Sequence, residues 1–497
     1  MTARTDFDVL IIGAGISGIG AAYHLATRSP GRSFAILEGR EAIGGTWDLF
    51  RFPGIRSDSD LFTFGFAFKP WTSDKSIAGG DLILDYLREA VAENNLGRHI
   101  RFGHCVTGAR WSSEEARWTV TAQRADDGEI IELTCRFLFS GTGYFDYEQG
   151  FTPPFTGIED FAGKVIHPQF WPADLDYAGK RVVIIGSGAT AVTILPAMTG
   201  VAAHVTMLQR SPSYMLSLPA EDPIANTLKH IIGPRRAYRI TRRKNIFVQR
   251  GIYKASQRYP RLVRRVLMAD AKRRLPKGYD VDTHFNPTYD PWDQRMCVVP
   301  DGDLFEAISS GGAAVVTDRI DRFTRDGIRL ASGVVLEADI IVTATGLNML
   351  PMGGITLTVD GTDIELPDTM VYKSMMLSDV PNFAFAIGYT NASWTLKVDL
   401  VCEHLCRMLA HMEDRNADMV VPVRTEGDME RLPLFDLTSG YVQRGIQRFP
   451  HAGSRGPWTA AMAYERDVAR LRDGAVGDPE LHFRTRVSPP EPAPIAA

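Results

Sequence analysis

Two glycine-rich turns, each set between an apolar run and a helix-like stretch, predict an α/β chain with two Rossmann-like dinucleotide-binding domains. The first lies in FDVLIIGAGISGIGAAYHLA, which begins at Phe7, and the second in KRVVIIGSGATAVTILPAM, residues 180–198. A third observation sets the scale. At 497 residues and 44% hydrophobic composition, the chain is too long for one ordinary core and should form two or three domains.

The first unit reads as a buried strand, a turn at GAGISG and a helix, followed by a second strand, SFAILE (33–38). Gly13 permits the tight turn, Gly15 lets the backbone approach a pyrophosphate at the helix N-terminus, and Gly18 allows close helix–strand packing. Ser17 lies in the same turn. The second strand ends on Glu38, whose carboxylate can accept both hydroxyls of an adenosine ribose, so this unit is expected to hold a non-phosphorylated adenosine cofactor such as FAD.

The second unit repeats the pattern as G-x-G-x-x-A, with Gly186, Gly188 and Ala191. Ser187, Ala189, Thr190 and Val192 complete its expected binding turn. Its second strand, HVTMLQR (204–210), ends on Arg210 with Ser211 next. A guanidinium there can bind a 2′-phosphate through two charge-assisted hydrogen bonds, where a carboxylate would repel it, so this unit is expected to hold NADPH.

Two further runs, CRFLFSGTGYF (135–145) and ADIIVTATGLN (338–348), pass from strand into small-residue turns and are expected to join the domains. The resulting scheme has an FAD domain formed by 1–145 and 346–497. The NADPH domain is formed by 146–212 and 291–345, with a helical insertion at 213–290. From Arg235 to Lys277 the insertion carries sixteen Lys or Arg and one acid, Asp270. It reads first as a solvated cap whose field attracts an anionic dinucleotide, and second as a weak peripheral membrane contact through 235–277.

The net charge of −4 argues against a dedicated nucleic-acid binder. Asp6 and Asp8 precede the first apolar run and glycines interrupt it, so neither a signal peptide nor a spanning helix is expected, and the location reads as cytoplasmic, with membrane association second. Five cysteines form no even framework. Cys402 and Cys406 read as buried helix residues, and no metal site is expected. The final stretch, VSPPEPAPIAA (487–497), reads as a disordered tail.

Between the two units, FAGKVIHPQFWP (161–172) fits the pattern FxGxxxHxxxW. The chain thereby resembles the type I Baeyer–Villiger flavin monooxygenases. GGTWDLFRFPGIRSD (44–58), with Gly45, Trp47, Pro53 and Asp58, resembles a second family fingerprint, and YDPWDQRMCVVPDGDLF (289–305) the segment carrying the family's active-site arginine. The likeness extends over nearly the whole chain and is nearest to the mycobacterial-type branch that activates thioamide prodrugs.

The resemblance implies that NADPH reduces FAD, that reduced flavin traps O2 as a peroxyflavin, and that this attacks a ketone to give an ester or lactone, with thioethers or thioamides as further substrates. It also implies Arg295 as the cation that stabilises the reacting anion and Asp58 as the residue that orients it. Asp58 or Asp60 could instead cap a helix beginning near Leu61. His167 is implied as a hinge or anchor of the interdomain connection, not an acid–base group, and Trp171 as packing. Thr46, Asp48, Leu49, Arg56, Ser57 and Val106 are further expected cofactor contacts. Gln294 stands where better-known members carry lysine, and Phe50 where they often carry asparagine. FTFGFAF (62–68) and GYTNASWTL (388–396) would line an apolar pocket. The rival readings are a flavin monooxygenase for sulfur or nitrogen centres and a nucleotide-binding redox sensor. A disulfide reductase is disfavoured because no CxxxxC follows the first unit.

Overall fold

The computed structural model describes residues 5–424, 429–460 and 462–486; the expected tail at 487–497 lies outside them. Phe7–Ile12 forms a strand between two parallel partners, Phe34–Leu37 and Ile130–Ser140. Its FDVLII sequence explains why it is central. Val9 and Ile11 point into one apolar core while Leu10 and Ile12 point into another, so both faces of the sheet are covered. Phe383–Phe385 adds a parallel strand from late in the chain, and the hairpin His104–Ser112 with Arg117–Arg124 extends the sheet, which has nine strands.

A second, five-stranded sheet is wholly parallel. Arg181–Ile185 is flanked by His204–Gln209 and Ile340–Thr343, with Ala313–Thr317 and Lys164–Ile166 at the edges. The alternation recurs, with Val182 and Ile184 on one face and Val183 and Ile185 on the other. Two doubly covered sheets, each with a glycine turn at the end of its central strand, give the α/β, two-domain architecture that the sequence predicts.

The chain crosses between these sheets twice, through Phe145–Gly150 and through Leu347–Met349, and the two crossings pair as antiparallel strands. The helical stretch of the insertion begins later than expected, at Pro223. Residues Met215–Leu218 instead form a strand paired with Cys297–Pro300, with Met215 packed in one apolar cluster and its neighbours Tyr214 and Leu216 in another, as successive strand residues do. Three helices follow: Pro223–Ile232, Pro234–Arg258 and Pro260–Arg274. The middle helix packs on the first domain. Its Arg242 donates to the carbonyls of Thr63 (2.9 Å) and Gly65 (2.6 Å), satisfying the end of the short helix Leu61–Phe64. Cys402 and Cys406 are buried in the helix Trp394–Asp414.

Candidate active site

Between the two sheets lies a cleft of about 1150 Å³, which reaches from Gly15 to Arg210. That exceeds the roughly 300–1,000 Å³ of ordinary small-molecule pockets. Its two ends are the two glycine turns. Gly15 and Gly188 are the N-caps of helices Ile16–Arg28 and Ala189–Met198, and neither helix has a side-chain cap. Uncapped first-turn N–H groups facing a cleft suit phosphate.

The glycines fit this role sterically. A Cβ on Gly18 would stand 1.8 Å from the Gly13 carbonyl oxygen. At Gly186, where φ is +142°, a Cβ would stand 2.4 Å from the Ala344 oxygen. A Cβ on Gly188, by contrast, would meet nothing within 4 Å, leaving its approach open.

On the first-domain wall, Ser17, Gly45, Thr46, Trp47, Arg56, Ser57 and Asp58 line the cleft. Ser17 Oγ accepts from Trp394 Nε1 at 2.8 Å, and Thr46 Oγ1 lies 3.1 Å from the Tyr147 hydroxyl. Glu38 is buried behind this wall. Its carboxylate accepts from the backbone N–H groups of Ala14 (2.6 Å) and Arg40 (2.9 Å), and burial raises its pKa against those bonds. Asp48 is also buried, 2.5 Å from Arg40 and 2.6 Å from Arg51. Leu49 packs on the second domain's core and Val106 on the first's, so neither faces the cleft.

On the second-domain wall, Ser187, Gly188, Ala189, Thr190, Arg210 and Ser211 line the cleft, while Ala191 and Val192 are buried in the core beneath. Ser187 Oγ lies 3.0 Å from Ser213 Oγ. Arg210 is exposed and has no carboxylate partner among the described residues.

Where the walls meet, Arg295 Nε lies 3.9 Å from Asp58 Oδ2. Burial raises the Asp58 carboxyl above its usual range, and Arg295 and Arg56 pull it back. Burial likewise opposes the Arg295 charge. Asp58, Tyr144 and Tyr441 outweigh it, so the guanidinium stays protonated while its side chain remains 39% exposed to the cleft. Asp60, not Asp58, caps the helix Leu61–Phe64, accepting from Thr63 N–H at 3.1 Å, which leaves Asp58 free to face the arginine. Arg295 is presented by a constrained loop. Trp292 has φ +76°, rare for a bulky residue, and Thr438 donates to the Asp293 carbonyl through both its N–H and its hydroxyl, each at 3.0 Å. Arg56 closes the same seam through Asp303, 2.5 Å away.

His167 sits outside this chemistry, beside the paired crossings. Its Nδ1 accepts from Gln169 N–H at 3.2 Å, so Nε2 carries the proton and donates to Gly346 O at 3.1 Å. Burial lowers its pKa below the ordinary imidazole value, opposed by backbone contacts at Gly346 and Phe151. Trp171 packs, partly buried, against the second domain's core.

Sequence reasoning missed Tyr147 and Tyr441, and reached Tyr144, Trp394 and Asp303 only as members of longer stretches, with no role of their own. Their individual places depend on contacts remote in sequence; the Trp394–Ser17 bond joins residues 377 apart. Among the described residues no cluster of three or more His, Cys, Asp or Glu is arranged to hold a metal.

Two dinucleotide-binding folds that share one cleft, with a fixed cation at their seam, define a flavin- and pyridine-nucleotide-dependent class of oxidoreductase. The family model described as pyridine nucleotide-disulphide oxidoreductase matches residues 10–246. That match carries the fold without its redox dithiol, because the matched stretch holds only Cys105 and Cys135. The chain belongs to the FAD-containing monooxygenases. It is 52% identical over 483 residues to FAD-containing monooxygenase EthA of Mycobacterium tuberculosis, covering 97% of this chain and 98% of that one. It is 49% identical to the probable FAD-binding monooxygenase AlmA of Acinetobacter baylyi, covering 96% of each. Among solved structures it shares the fold of an open cyclohexanone monooxygenase (TM-score 0.72, 20% identity, 84% of this chain and 90% of that one). An oxidized steroid monooxygenase bound to NADP is similarly close (TM-score 0.71, 22% identity, 84% and 88%).

Proposed function

We propose that this enzyme is an NADPH- and O2-dependent Baeyer–Villiger monooxygenase that converts apolar or aromatic ketones into esters or lactones and also oxygenates thioethers or thioamides. The observation that carries the reading is the Arg295–Asp58 pair at the seam of the two domains. Bound FAD would take hydride from NADPH and supply the activated oxygen.

This chain's residues do the rest. The uncapped helix at Gly15 and the adjoining turn around Gly45 would receive the FAD pyrophosphate, with Glu38 behind them at the ribose end. The helix at Gly188 would receive NADPH, with Arg210 and Ser211 at its 2′-phosphate. Arg295 would hold a permanent positive charge beside the carbonyl oxygen as negative charge develops there. A guanidinium does this without giving up a proton. Asp58 would orient it, and the phenols of Tyr144 and Tyr441 would narrow the space around it. Phe64, Phe145 and Trp394 on the cleft wall would exclude water. His167 would hold the two crossings together while the domains adjust.

Incubation of the purified protein with NADPH, O2 and linear, cyclic and aryl ketones, with a thioether in parallel, tests this reading. Ester or lactone formed in step with NADPH consumption is expected. Sulfoxide with no ester from any ketone would overturn the ketone assignment.

A further inference from the structure

The helical insertion is built inside out for a surface helix. An ordinary one buries an apolar stripe and exposes its polar face. The helix Pro234–Arg258 instead turns its polar groups inward. The Tyr238 hydroxyl donates to Phe66 O at 2.8 Å, Arg242 donates to three carbonyls of residues 62–65, and Asn245 donates to Asp60 at 2.9 Å. Its outer face carries Arg236, Ile240, Arg243 and Phe247, spaced four, three and four apart and so on one side. Phe247 is 79% exposed, the largest exposure of any large apolar side chain among the described residues.

The neighbouring helices continue this surface. Ile231 ends one, and Leu262 and Val266 project from the other, all more than half exposed. Half of the well-exposed large apolar side chains among the described residues fall between Ile224 and Val266, under a tenth of the chain. Arg236, Arg239, Arg243, Arg261, Arg265 and Lys272 lie among them, exposed and without a carboxylate partner among the described residues. The one acid of the stretch, Asp270, is held by Arg273 and Arg274.

From this pairing of bare apolar side chains with unneutralised cations, we infer that helices 223–274 rest on an anionic lipid surface, with Phe247 and Leu262 entering the headgroup boundary and the arginines contacting lipid phosphates. Charge complementarity selects this occupant. A second copy of the chain would bring like charges together, and a nucleic acid would have no use for so many exposed aliphatic groups. No helix among the described residues is long and apolar enough to cross a bilayer, so the contact lies along the surface.

The test is co-sedimentation of the full-length, FAD-loaded protein with phosphatidylcholine vesicles, with and without phosphatidylglycerol, at low and high salt. Binding is expected only to the anionic vesicles, and should weaken at high salt. The double variant Phe247→Ser, Leu262→Ser should bind at least about tenfold more weakly while oxidising NADPH at the wild-type rate, because both side chains lie outside the cleft. Conversely, no binding to anionic vesicles, or equal binding by the double variant, overturns the inference. So does sedimentation showing a wild-type dimer that the variant dissociates, or tighter binding to duplex RNA than to vesicles.

Discussion

His167 Nε2 stands 3.1 Å from the carbonyl oxygen of Gly346, and that bond fastens the segment after Lys164–Ile166 to the start of the second strand on which the chain crosses between its domains. The fit is close: a Cβ on Gly150, in the first crossing, would lie 2.2 Å from the ring. Replacing His167 with alanine is expected to leave FAD bound but to slow turnover, since the seam and not the flavin pocket is damaged. Stopped-flow flavin reduction and oxygenation at wild-type rates would contradict the role.

The same histidine predicts a pH signature. Its folded pKa is lowered from an ordinary value of 6.5, so the folded protein binds fewer protons than the unfolded chain between the two values. Its contribution to stability is therefore complete above 6.5 and is lost as pH falls through the lowered folded value. Thermal unfolding from pH 7.5 downward checks this. The wild type should lose stability faster than His167→Gln, whose side chain does not titrate.

Arg210 has no carboxylate partner among the described residues and faces the cleft. Substitution by alanine should weaken NADPH by roughly 1.5–3 kcal/mol, about ten- to a hundredfold, and leave NADH nearly unaffected. Coenzyme titrations decide it; equal losses for both would remove Arg210 from the phosphate site.

Gly18 has no room for a methyl group, with the Gly13 oxygen 1.8 Å from where a Cβ would stand. Gly18→Ala should cost at least the upper end of the roughly 1–3 kcal/mol typical of overpacking. It should also yield protein depleted of FAD. The ratio of flavin to protein absorbance, with a melting curve, measures both; full flavin content at the wild-type melting temperature would show that the turn relaxes.

The two domains were legible in sequence because each strand–turn–helix unit is local: apolar alternation, glycines at fixed offsets and the next strand all fall within some thirty residues. The seam was legible only in part. Arg295 and Asp58 stood out through motifs, and Trp394 and Asp303 fell inside stretches already singled out, but Tyr147 and Tyr441 come from ordinary-looking segments whose place depends on how remote strands pair. Asp60 and Asp58 offered similar local evidence for a helix cap, and the bonds that Asp60 accepts from Thr63, Asn245 and Gln249 separate them. The insertion showed its charge in sequence but not its orientation. Arg242 counts as one more cation until the carbonyls of residues 62–65 are seen around it.

Arg295 carries the central claim, and Arg295→Ala measures it. The variant keeps the Gly15 and Gly188 turns intact, so it should bind FAD and consume NADPH. Loss of a preorganised charge should lower ester formation by roughly 10²–10³-fold, or about 3–4 kcal/mol, with hydrogen peroxide released in its place. Product chromatography and a peroxide assay on one sample read both. Ester formed at the wild-type rate, without added peroxide, would show that Arg295 is not the catalytic cation and that the mechanism built on the Asp58–Arg295 pair is wrong.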